Sequence, residues 1–142
     1  MATRRDVLIL IGIGGVAAMR FRHAAAAAQP LIEVLAMAHW PVQRALKPVR
    51  DILGKYDGRV RIVETDIESA EGEKRAKSVG LKGHIPIVIL IDGNKSFKRA
   101  DGTTVEFVNF PAAAGNPMGL NGAWSVADFE AALRAALGEE AR

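Results

Sequence analysis

Leu31 to Pro48 reads LIEVLAMAHWPVQRALKP, and this stretch decides the fold. Leu31 to Met37 is apolar except for Glu33, which predicts a buried strand. Val42, Ala45, Leu46, Val49, Ile52, Leu53 and Tyr56 then recur at helical spacing and put an apolar stripe on one face. Pro41 suits the first turn of that helix, while Pro48, with no N–H to donate, predicts a kink in its middle. The chain therefore turns from a buried strand straight into a helix at His39-Trp40-Pro41.

The two periodicities continue downstream. Val60 to Ile67 reads as a second strand, followed by a polar helix from about Ser69 to Val79. The charged run Glu71 to Lys77 is a solvated helix face. Ile85 to Ile91 (IPIVILI) is the most apolar run after residue 28, and its length fits a central strand buried on both faces. Asp92-Gly93 and Asp101-Gly102 are turn signals around Lys95 to Arg99, and Val105 to Phe110 reads as a further strand. Ser125 is placed to cap a closing helix together with Asp128; Val126, Phe129, Ala132, Leu133 and Leu137 supply its buried stripe. The order β-α-β-α-β-β-α implies an α/β domain with a mixed central sheet and helices on both faces.

Charge separates the first 28 residues from the rest. They hold four of the 19 basic residues and one of the 16 acidic ones, and so account for the whole formal charge of +3. Residues 29–142 are balanced, which leaves no basic footprint for nucleic acid. Thr3-Arg4-Arg5-Asp6-Val7-Leu8 resembles a twin-arginine export motif, departing from it at Val7 and Ile9. The uncharged stretch Val7 to Met19 is too short to span about 30 Å of hydrocarbon as a helix. Arg20, Arg22 and His23 follow, and the tract Ala24 to Ala28 offers cleavage just before Gln29. The expectation is a signal peptide over residues 1–28, a periplasmic domain over 29–142, and no stable membrane span after cleavage.

From about Leu31 to Leu137 the element order is similar to that of the thioredoxin family, which implies a three-layer fold. His39 to Pro48 has the length of that family's segment from its active-site tryptophan to its helix-kinking proline. Trp40 and Gln43 fall on the two cysteine positions. Val60 to Ile67 resembles the family's second core strand, with Asp66 at its acidic end. Val79-Gly80-Leu81-Lys82-Gly83-His84-Ile85-Pro86 looks like the approach to the family's cis-proline, with one additional residue. In the family that bond exposes main-chain groups to an extended peptide.

The chain contains no cysteine, and thiol chemistry needs a sulfur that can become a thiolate. The resemblance therefore implies the scaffold without the enzyme. It points to a redox-inactive binding module with no cofactor, contacting another exported protein or peptide through His39, Trp40, Gln43, Ile85 and Pro86. Two readings of Trp40 stand side by side: an exposed anchor for a partner, or filler for the space of the lost disulfide. The alternative function is a periplasmic copper carrier using His39 and His84, with Met37 as a thioether ligand; against it, a methionine on a buried strand more often packs than ligates. The aperiodic loop Pro111 to Trp124 (PAAAGNPMGLNGAW) carries Met118, Leu120 and Trp124 to dock on the domain itself or on a partner. No Ser-His-Asp set, phosphate loop or zinc spacing is present, and Glu64, Asp66 and Glu68 need not converge.

Overall fold

A computed structural model describes residues 28–112 and 119–139. The expected signal peptide lies outside them except for Ala28, as does the middle of the long loop, 113–118. The first strand, β1 (Leu31–Ala36), lies in the middle of a three-stranded sheet of order β2-β1-β3. It pairs parallel with β2 (Arg61–Asp66), from Leu31 opposite Arg61 to Ala36 opposite Asp66. With β3 (Ile87–Ile91) it pairs antiparallel, from Ile32 opposite Ile91 to Ala36 opposite Ile87. A parallel neighbour demands a crossover. The helical segment after Met37 supplies it.

That segment is two helices, α1 (Trp40–Ala45) and α2 (Lys47–Lys55), rather than one kinked helix. Pro48 cannot donate to Arg44, so the ladder breaks at Leu46, which nevertheless receives the Arg50 N–H at 3.0 Å. Val42, Leu46, Val49, Ile52 and Leu53 bury the expected stripe. α3 (Ala70–Ser78) begins at Ser69, whose Oγ accepts from Gly72 N at 3.1 Å. Gly72 is the point of closest approach to the sheet: a Cβ there would collide with Asp66 O and lie 2.7 Å from Ile67 Cα.

Side-chain alternation assigns the layers. Arg75 on α3 reaches Glu33, whereas Arg50 on α2 reaches Glu64, the register partner of Val34. Glu33 and Val34 point to opposite faces of the sheet, so α2 and α3 cover opposite faces. α4 (Val126–Ala136) packs on α2 and β3. It opens with the expected capping box, Ser125 Oγ accepting from Asp128 N at 3.1 Å while Asp128 Oδ2 accepts from Ser125 N at 2.8 Å.

Two expectations need correction. β2 is an edge strand, not a core strand: only Val60 and Ile67, which flank it, are buried, while Ile62 and Val63 are exposed. Among the described residues no further strand pairs on its outer side. The expected strand 105–110 is divided. β5 (Thr104–Glu106) pairs with β4 (Ser96–Lys98), and Phe107 to Asn109 then returns to β3. There Phe107 O accepts from Ile89 N, and Asn109 N donates to Ile87 O, each at 2.9 Å. Asn109 at φ +68 turns the chain off the ladder.

The far end of the long loop belongs to the core. Trp124 is fully buried, its ring edge-on to Phe107 at 5.6 Å, and its Nε1–H donates to Asn109 O at 3.2 Å. Phe107 in turn meets Phe129 of α4 at 6.0 Å. Leu120 is half-buried and its carbonyl accepts from Phe110 N at 2.9 Å. Met118 lies outside the described residues.

Candidate functional site

The end of β1 brings the two expected site segments together. Met37 N donates to Pro86 O at 3.0 Å, so the turn into α1 and the loop before β3 lie at one end of the sheet. Met37 itself is 1% exposed and packs in the core, which removes its thioether from any surface site. Among the described residues no three His, Asp or Glu side chains gather to hold a metal.

Trp40 opens α1 and is 69% exposed, the most exposed large apolar side chain among the described residues. It does not fill the space of a lost disulfide. One turn on, the Arg44 guanidinium lies 5.3 Å from the indole centroid. Such an exposed cation–π contact contributes about 0.5–1 kcal/mol, enough to bias the ring's orientation without covering it. His39 precedes it in extended conformation and does not cap the helix with its side chain. Instead its imidazole, with the proton on Nε2, donates to Glu68 Oε2 at 3.0 Å.

Gln43, three residues on, has a different character. It is half-buried; its Nε2 donates to Met37 O at 2.7 Å and its Oε1 accepts from Arg50 Nη2 at 2.8 Å. Arg50 continues the chain by a two-bond pair to Glu64, Nε to Oε1 at 2.9 Å and Nη2 to Oε2 at 2.7 Å. The Glu64 hydrogen bond pushes Arg50 still higher than an ordinary guanidinium. This chain of contacts lines a cleft of about 320 Å³ beside Thr65 and Asp66. Arg50 and Glu64 were not legible as site residues. Gln43 and Arg50 stand two helical turns apart, a usable hint, but Glu64 arrives only through the β1–β2 pairing.

The loop before β3 departs from the expected approach to a cis-proline. Among the described residues there is no cis peptide bond, so Ile85–Pro86 is trans. Gly80 (φ +80) and Gly83 (φ +87) make the reversals here. Pro86 is buried and its carbonyl already serves Met37; Ile85 is half-buried and His84 exposed. Ile85 closes one wall of a second cleft of about 320 Å³, with Ile67, Ala76 and Leu81 lining it and Lys77 and Lys82 at its margin. Glu73 also lines it, so its walls are part apolar and part charged.

No protein-family model matches the chain, and neither a curated protein nor a solved structure does.

Proposed function

We propose that this chain is an exported, redox-inactive thioredoxin-like binding module that grips another exported protein or peptide at the Trp40 rim. The thioredoxin-like assignment draws support from the β2-β1-β3 order, the parallel β1–β2 crossover through a proline-broken helix, and helices on both sheet faces. Function does not follow from fold alone. The observation that carries it is Trp40, 69% exposed on a turn held from below by Gln43 and Met37. A solvent-facing indole at a strand-to-helix turn is the arrangement of a binding anchor, with tryptophan enriched among residues that dominate interface energies. In this reading His39, Trp40 and Ile85 make contact, while Gln43 and Pro86 form the frame. Catalysis has no part in it, and residues 1–28 are the twin-arginine signal that delivers the domain to the periplasm.

The experiment is capture from a periplasmic extract of an exporting host, with wild-type and Trp40→Ala baits compared alongside their thermal melts. Capture should drop by more than tenfold, corresponding to about 2 kcal/mol, with the melt shifted by no more than the loss of the Arg44 contact, about 1 kcal/mol. Equal capture by both baits rejects the rim as the contact surface. Intact-mass spectrometry of the same fraction should return residues 29–142, and Arg4→Lys with Arg5→Lys should block export.

A further inference from the structure

The outer edge of β2 carries chemistry that the Trp40 rim does not use. Arg61 N donates inward to Pro30 O at 2.9 Å, and Ile67 N donates inward to Ala36 O at 3.1 Å. Backbone groups alternate in direction along a strand. The odd-numbered residues of β2 therefore serve β1, and Ile62 and Glu64 point both N–H and C=O away from the sheet. Asp66 also points outward, but its carbonyl is occupied by Ser69 N at 3.1 Å and Ser69 Oγ at 2.6 Å. Ile62 (42% exposed) and Val63 (48%) flank this edge on opposite faces, and with Trp40 they are the exposed large apolar residues among those described.

Edge strands are normally blunted by charged side chains, above all lysine, by proline or by a bulge. RIVETD has no lysine or proline; of its charged residues Glu64 is paired with Arg50 and Asp66 accepts from Glu68 N, and its six residues pair with β1 in unbroken register. We propose that the outer edge of β2 is a self-association surface, to which a second copy of this chain adds its own β2 antiparallel across a two-fold axis. The two three-stranded sheets then become one continuous sheet.

The sequence of the strand selects the occupant and the register. Outward-facing residues must meet outward-facing residues, so the axis falls on Ile62, Val63 or Glu64. An axis at Glu64 sets like charges directly opposite each other, which is destabilising. An axis at Ile62 pushes the ladder into the Tyr56 to Arg59 turn, outside the strand. An axis at Val63 keeps every pair within β2. Ile62 and Glu64 of the second copy exchange both backbone bonds, twice by symmetry. Val63 packs on its own mate on the α3 face, and Ile62 covers the Glu64 methylenes on the other. Arg61 comes beside Thr65, and no like charges stand directly opposite each other; the two Glu64 carboxylates are diagonal, each already held by Arg50.

The absence of cysteine makes the test specific. In sedimentation the wild-type protein should run at twice the monomer mass. Val63→Lys sets two ammonium groups face to face on the axis and should run as a monomer with far-UV circular dichroism unchanged. Val63→Cys should cross-link to itself under mild oxidation, because directly opposed side chains in such a pair lie about 4.5–5.5 Å apart. Thr65→Cys alone should stay uncross-linked, whereas a mixture of Arg61→Cys and Thr65→Cys chains should join. A monomeric wild type, a dimer that survives Val63→Lys, or Thr65→Cys cross-linking as readily as Val63→Cys overturns the proposal.

Discussion

The Gln43 side-chain amide donates to the Met37 carbonyl at 2.7 Å and so ties the fourth residue of α1 back to the chain leaving the central strand. Within this turn, position 43 holds structure while position 40 faces solvent. The division of labour between them can be tested directly.

Trp40→Cys combined with Gln43→Cys should close an internal disulfide under mild oxidation, seen as the loss of two hydrogens by intact mass. The two residues lie three apart at a helix N-terminus, where the spacing suits a bridge and the helix end favours the thiolate. Removing the Gln43 amide leaves Met37 O without that donor, so the reduced double variant should lose about 1 kcal/mol of stability. Failure of the pair to close would set aside the thioredoxin register.

The two tryptophans should respond oppositely to truncation. Trp40→Ala removes an exposed ring and its Arg44 contact and should change stability by no more than about 1 kcal/mol. Trp124→Ala empties a fully buried site between Phe107 and the Asn109 carbonyl and should cost about 3–5 kcal/mol. Denaturant melts read both. In acrylamide quenching, wild-type fluorescence should separate into an accessible and a protected component, and Trp40→Ala should remove the accessible one.

Two helical glycines should also separate. Gly72→Ala forces a methyl group into the backbone at Asp66 and Ile67 and should destabilise by about 1–3 kcal/mol. Gly54→Ala sits in α2 with nothing within 4 Å of the new atom and should stabilise by about 0.5–1 kcal/mol. Thermal or chemical melts of the two variants should therefore shift in opposite directions.

Arg99 grips Asp128 with two bonds, Nε to Oδ1 at 2.8 Å and Nη2 to Oδ2 at 2.7 Å, while Ser125 N donates to the same carboxylate. Arg99 above all, then the Ser125 donors, hold the Asp128 carboxyl down at about 2, against partial burial that opposes them. A depressed carboxylate adds stability that is fully present above its unfolded value near 4 and lost as pH falls toward 2. Allowing for solvent screening at this partly exposed pair, the contribution is about 1–2 kcal/mol. Asp128→Asn should melt below wild type at neutral pH, and the difference should shrink between about pH 4 and 2. A gap that stays constant across that range would show that the Arg99 pair contributes nothing.

Much of the architecture was legible along the chain because local physics dictates it. Pro48 breaks a helix wherever it falls inside one, Ser125 with Asp128 caps one, and the Ile87 to Ile91 run cannot be left in water. The division of residues 104–109 between two partners was not legible, because a φ of +68 at Asn109 is a property of the assembled sheet. The candidate site was legible as an address, the turn at residues 39–43, and not as roles. Nothing in HWPVQ distinguishes the residue that will face solvent from the one that will be tied down.

The sequence by itself determined the absence of thiol chemistry, the concentration of net charge in residues 1–28, and the order of the main elements, but not the division of the first helix at Leu46 or the short strand Ser96–Lys98. These are properties of composition and of short-range periodicity, which do not depend on neighbours in space. Only the tertiary structure decided that Trp40 is exposed, that Gln43 joins Met37 to Arg50 and Glu64, and that β2 lies at an edge with Ile62 and Val63 uncovered. Exposure and pairing are set by which segments meet across the sheet. A strand of the same six residues is core between two neighbours and surface beside one.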